Sequence, residues 1–135
     1  MIESFDTIPH LVKYNSLNYP NDIALREKKF GVWRTKSWIQ CYEEVENITL
    51  GLLSLGVKQQ QTIAILGNNT PRWVLSEVAI QSFGGTALGL YSDALESEIV
   101  YLLKFASCKV VFVEDETVVA CSTSTAYPGV SGFST

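Results

Sequence analysis

The chain has one histidine, three cysteines and no charged residue in its last 19 positions. Each scarcity closes off a class of function. A lone histidine, His10, founds neither a metal site nor a nucleophile–base pair. Cys41, Cys108 and Cys121 form no CxxC, and their odd number leaves one unpaired in any disulfide scheme. Two of them are expected as small buried hydrophobes, with Cys121, in the tail, as a free thiol. No apolar run reaches the roughly 20 residues that span a bilayer. The opening Met1–Asp6 carries acids where a secretory signal carries cations, which leaves the cytoplasm as the default compartment. No GxGxxG follows the first apolar strand, so the dinucleotide fingerprint is absent. Ten Lys and Arg residues stand against fourteen Asp and Glu, for a formal charge of −4. Apart from Lys28 and Lys29 the cations are scattered, which argues against nucleic acid as a partner and supplies no polybasic anchor for an anionic membrane.

What remains is a chain of 135 residues, 47% apolar, enough for one domain or a piece of a larger one. Every charged residue lies between Glu3 and Glu116. Residues 1–116 therefore read as partly built α/β structure. Residues 117–135, mostly Ser, Thr, Gly and Pro, read as a low-complexity tail expected to be disordered.

The first segment, around Pro9–Tyr19, has Leu11, Val12 and Tyr14 or Asn15 near helical spacing and ends in the turn-rich Asn18–Asp22. Asp22–Arg26 and Trp33–Trp38 alternate apolar and polar positions. They are expected to pair as a β-hairpin, with a loop longer than two residues across Glu27–Val32 and Lys28 and Lys29 as a solvated turn. Tyr42, Val45, Ile48, Leu52 and Leu55 recur at helical steps, and Gly56 suits the C-cap. Glu43, Glu44 and Glu46 then form a solvated face that favours the helix dipole.

From residue 62 a rhythm sets in. Thr62–Leu66, Thr86–Leu90 and Lys109–Val113 are short apolar runs. The intervals hold one helix each. Thr70 and Pro71 open the first, with Trp73, Val74, Val78, Ala79 and Phe83 as its apolar positions. Asp93 and Glu96, spaced as a capping box, open the second over Leu95, Ile99, Leu102, Leu103 and Ala106. The unit is β-α-β-α-β with parallel strands. Strands apolar on both faces call for a sheet covered on both sides, and three strands are a thin sheet for that.

An open parallel sheet binds ligands beyond the carboxyl ends of its strands. That edge would carry Gly67–Thr70, Tyr91–Asp93 and Glu114–Glu116. The first turn opens a helix and could hold an anion, but an ordinary capped helix start explains it more simply. Gly84, Gly85 and Gly89 lie between a helix end and a strand. A phosphate cradle needs glycines leading into a helix, so a tight turn and close backbone packing are the better account. Ser122–Thr125 and Gly129–Gly132 look like a phosphate loop but have no lysine, the last being Lys109. No catalytic, cofactor-binding or metal-binding residue is assigned.

In this order the segments resemble the opening of the AMP-forming acyl-CoA synthetases. The likeness runs through Ile23–Trp33, Ser37-Trp38, Tyr42–Val45, Gly51–Val57, Thr62–Leu66, Asn68–Trp73, Gly84–Tyr91, Leu95–Leu103 and Val110–Asp115. Asn69 with Trp73, and the hairpin with Phe30-Gly31, point to the long-chain fatty-acid branch. The resemblance implies an α/β fold, an incomplete piece of the N-terminal domain of adenylate-forming enzymes, with residues 1–116 as part of it. It also implies the family's reaction. A carboxylate attacks the α-phosphate of ATP, with Mg²⁺, and coenzyme A then displaces AMP from the acyl-adenylate. Long-chain fatty acid, ATP and coenzyme A are thus the partners of the full-length family. The family's Ser/Thr/Gly–Lys loop, aromatic-Thr-Glu segment, ribose-binding Asp and C-terminal lysine have no matching position here. The chain alone is therefore expected to bind no cofactor and to form no acyl-adenylate.

Two other readings stand beside this one. The chain could be a small βαβ binding or interaction module without catalysis. Its incomplete sheet edge could also drive self-association. The resemblance leaves membrane association of a parent enzyme open, and it implies that acyl-chain length is set largely by later residues of the family.

Overall fold

The computed structural model describes residues 6–114, so the 117–135 tail, the Asp115-Glu116 end of the acidic run and Cys121 lie outside the described residues. The element order is α1 (Ile8–Asn18), β1 (Ile23–Lys29), β2 (Val32–Ser37), α2 (Trp38–Ser54), β3 (Thr62–Leu66), α3 (Pro71–Ser82), β4 (Thr86–Leu90), α4 (Glu96–Phe105) and β5 (Val111–Val113). The expected hairpin and parallel unit are both present, with local departures that have identifiable causes.

β1 and β2 pair antiparallel from Ile23↔Ser37 to Lys29↔Val32. Only Phe30 and Gly31 connect them, at φ 50° and 79°. A two-residue turn with both positions left-handed matches strand twist, so the loop is shorter than expected. Lys28 and Lys29 belong to the strand rather than to a turn. Trp38 is not strand but the first residue of α2. Ser37 Oγ accepts from Gln40 N at 3.5 Å, and Gln40 Oε1 accepts from Ser37 N at 3.0 Å. This capping box satisfies two otherwise unpaired donors and starts the helix there. Because α2 begins at Trp38, its first turn holds no acid. Glu43, Glu44 and Glu46 thus sit too far along for the dipole contribution expected of them, and Glu44 pairs instead with Lys36. Gly56 at φ 79° follows the helix end, as its position suggested.

β3 pairs in parallel with both β4 and β5, giving the order β4-β3-β5. The chain steps from β3 to β4 on one side, then returns across β3 to reach β5. With right-handed crossovers that reversal puts the two connecting helices on opposite faces. The core is divided accordingly. Ile63 and Ile65 of β3 face Leu52 of α2 and Ile80 of α3. Ala64 and Leu66, the alternate positions, face Ile99 and Leu103 of α4. Ile63, Leu66, Ile80 and Val111 are among the most deeply buried side chains, each contributing about 1.5–3 kcal/mol by its removal from water.

α3 is covered on two sides, by the sheet and by α1 and α2. Its buried set is therefore Leu75, Ser76, Val78, Ala79 and Ile80, while Val74 faces outward. α4 starts three residues after Asp93. Glu98 Oε2 accepts from Leu95 N at 3.1 Å, and Leu95, having no side-chain acceptor, cannot return the bond. Asp93 falls instead in the turn in which Ala94 N donates to Tyr91 O at 3.2 Å. Leu95 and Leu55, counted as apolar-face positions by spacing, are 67% and 44% exposed. β5 is shorter than Lys109–Val113, since its ladder to β3 begins only at Ala64↔Val111.

The glycine cluster acts as expected. Gly84, at φ 80°, makes the turn. A Cβ on Gly85 would stand 3.0 Å from Ile80 and Phe83, and one on Gly89 would stand 2.9 Å from Trp73 Cζ2.

Candidate functional site

In a sheet of this winding, the connections leaving β3 and β4 run to opposite faces, and ligands bind at the carboxyl edge of the strands. Three loops meet beside it. Gly67 ends β3 where a Cβ would stand 2.9 Å from the Cβ of Glu114, so glycine permits β5's end to close over β3's. Asn68 N donates to Glu114 Oε2 at 2.7 Å, and Asn68 Nδ2 donates to the same oxygen at 2.9 Å. Ser92 Oγ, after β4, donates to Asn68 Oδ1 at 3.3 Å. Thr70 N donates to Asn68 O at 2.7 Å, and Thr70 Oγ1 caps α3 by accepting from Trp73 N at 3.3 Å. One carboxylate and one amide side chain thus tie the ends of all three strands together.

These loop residues were all expected at one edge of the sheet, and only Thr70, as the cap of α3, carried an expected role, which it fills. The network joins positions 46 and 24 residues apart, and no local pattern marks such pairings. Only strand order, which sets β5 beside β3, brings Glu114 to Asn68.

The electrostatics are as informative as the geometry. Loop residues 67–70, 91–93 and 114 include Asp93 and Glu114 and no cation. The Asn68 amide, at the turn into α3, already carries a carboxylate. A phosphate arriving at this amide would meet like charge and a donor in use. No group of three or more His, Cys, Asp or Glu among the described residues could hold a metal ion. His10 sits in the first turn of α1, its N donating to Thr7 Oγ1 at 3.3 Å. Cys41 and Cys108 are buried free thiols, and loss of water around each pushes its pKa up. Buried neutral thiols are inert.

A second concavity lies along β4 and α4. An open groove of about 480 Å³ is lined mainly by Leu90, Tyr91, Ala94, Tyr101 and Leu102. Tyr101 stacks on Phe105 at 6.0 Å between ring centroids. It is apolar, and Tyr91, Tyr101 and Phe105 beside it are exposed.

Comparison with known proteins settles the lineage. Residues 12–130 match the family of AMP-binding enzymes. The chain belongs to that family. This member of the AMP-binding enzymes is 32% identical over 108 residues to the human long-chain-fatty-acid–CoA ligase ACSBG1, covering 79% of the chain and 15% of that protein. It is 26% identical over 135 residues to long chain acyl-CoA synthetase 4 of Arabidopsis thaliana, covering 93% of the chain and 20% of that protein. The chain therefore spans about a fifth or less of these relatives' length. Among solved structures, the fatty acid AMP ligase of Legionella pneumophila superposes with a TM-score of 0.84 at 11% identity, over 96% of this chain and 23% of that one. The N-terminal subdomain of Klebsiella oxytoca NpsA gives 0.76 at 18% identity, over 93% and 30%. At such identities the likeness shows the fold: the hairpin and three-stranded parallel sheet of the N-terminal subdomain of adenylate-forming enzymes.

Proposed function

We propose that this chain supplies the N-terminal scaffold of an ATP-dependent long-chain fatty-acid–CoA ligase and takes no direct part in the adenylation chemistry. Acyl transfer through an adenylate needs cations and amides on the phosphates and a positive group against the reacting carboxylate. The observation that carries the reading is the Glu114–Asn68–Ser92 network, which commits the strand-end loops to holding β3, β4 and β5 in register. Membership of the AMP-binding family and the relatives' names support this reaction class. ATP, Mg²⁺, coenzyme A and a long-chain fatty acid are then ligands of the longer enzyme, handled by residues other than these.

In a longer member, the apolar groove beside β4 is a surface for further layers of the domain. In the 135-residue chain, the same groove and the edge of β4, unpaired among the described residues, favour self-association, which size-exclusion chromatography reads directly. Catalysis is tested by pyrophosphate release. The purified chain, given ATP, Mg²⁺ and palmitate, should release no more than an enzyme-free blank. Release above the blank would show that the adenylation chemistry resides in these residues.

A further inference from the structure

The distal half of the hairpin has a composition found nowhere else in the chain. Lys28-Lys-Phe-Gly-Val-Trp-Arg34 holds three cations, three large apolar side chains and no acid. All seven residues are exposed. Phe30 is 90% exposed, Trp33 63% and Val32 62%. The base of the hairpin packs through Ala24 and Leu25 against α1, α2 and α3, so the tip projects from the body. Residues 23–37 carry five of the chain's ten Lys and Arg, with Glu27 as their one acid, opposite Arg34 in the register. Lys36 is engaged by Glu44. On a chain of net charge −4 this is a local reversal of sign, and the two-residue turn folds the run back so that its cations lie on paired strands.

Phe30 needs an explanation that folding does not give. The first position of such a turn suits Asn, Asp or Gly, and at φ 50° a bulky residue is disfavoured. Its ring buries almost nothing in return. Lys29 Nζ lies 6.0 Å from the Phe30 ring and Lys28 Nζ 5.8 Å from the Trp33 ring, so one cation stands over each ring. Aromatic and aliphatic groups at an apex ringed by Lys and Arg match a surface with anionic headgroups outside and acyl chains within. At physiological ionic strength charge is screened beyond about 8 Å, so the acidic body does not cancel the tip.

We propose that the Lys28–Arg34 tip docks on an anionic lipid bilayer, with Phe30, Val32 and Trp33 entering the interface and Lys28, Lys29 and Arg34 on the headgroups. No described helix is long and apolar enough to cross a membrane, so this contact is peripheral. It does not depend on which reaction the longer enzyme performs.

The test is flotation of the 135-residue protein with phosphatidylcholine vesicles, alone or with about a third phosphatidylserine. Binding is expected to the acidic vesicles only, weakening with salt. The triple change Lys28→Gln, Lys29→Gln, Arg34→Gln should lower partitioning roughly a hundredfold, at about fivefold per cation. Phe30→Asn should lower it about tenfold or more while raising the thermal midpoint, because Asn tolerates the left-handed turn. That opposite movement separates loss of docking from loss of fold. Brominated acyl chains should quench emission in the parent protein and much less in Trp33→Phe. Absence of binding to acidic vesicles, equal partitioning of the triple variant, or capture of an acidic polymer such as RNA in place of vesicles would each overturn the proposal.

Discussion

Gly89 is the residue of β4 that lets α3 lie close, and its replacement gives a sharp test of the packing. Its backbone φ is ordinary, so an alanine there meets only a spatial obstacle. The new Cβ would stand 2.9 Å from Trp73 Cζ2 and 3.3 Å from Cη2, both on the far ring of the indole. Overpacking of this kind costs about 1–3 kcal/mol, and alanine recovers about 0.5–1 kcal/mol of the entropy glycine loses in a strand. Gly89→Ala should therefore destabilise by about 1–2 kcal/mol. Trp73→Leu removes the ring that carries both contacting atoms. It weakens the fold in its own right through lost packing, but in that background Gly89→Ala should cost nothing. The double-mutant cycle should return a coupling of about 1–3 kcal/mol, the overpacking cost alone, read from urea midpoints at unchanged slope. A neutral or stabilising Gly89→Ala, or full additivity of the two changes, would refute the reasoning.

Further outcomes follow from other parts of the fold. Ser37→Ala removes the side-chain half of the box that opens α2 and should lower stability by about 1 kcal/mol, again by urea midpoint. Glu114→Ala should cost no more than about 1 kcal/mol, since the network is exposed. It should nevertheless speed hydrogen exchange at the Asn68 amide, which loses its acceptor. Cys41 and Cys108 have pKa values raised by burial from an ordinary 9.0. Below pH 9.0 both states keep these protons and stability is level. Above it the unfolded chain ionises first, so stability falls as pH rises towards the folded values. A Cys41→Ala, Cys108→Ala variant should show a shallower decline between pH 9.0 and 10.0, before Tyr42, held neutral by its bond to Glu46, adds its own fall.

Much of this architecture was legible because its signals are local. β3 and β4 lie where short apolar runs bounded by Gly and Thr put them, and β3, buried on both faces, tolerates little else. Thr70-Pro71 and Gly56 marked helix ends through conformations few other residues supply. The misses arose where two local signals competed. Ser37-Trp-Ile-Gln40 is a capping box, yet Trp38 also continued the alternation of β2, and the helix start prevailed because it satisfies backbone donors. Asp93 and Leu95 each precede an acid by three residues, and the turn at Tyr91–Ala94 decided between them. Phe30 hid a two-residue turn, since a bulky residue is a poor marker for left-handed backbone. The strand-end network was not legible, because it depends on β5 returning beside β3. The cations and apolar residues of 28–34 stand together in the sequence, but there Lys28 and Lys29 suggest only a solvated turn.

The scaffold reading meets its most direct test in calorimetric titration of the 135-residue protein with ATP and Mg²⁺. No saturable heat should appear up to millimolar nucleotide, because the strand-end loops offer no cation and the Asn68 amide already holds Glu114. A one-to-one isotherm at micromolar affinity, lost on mutation of residues 67–70, would contradict it.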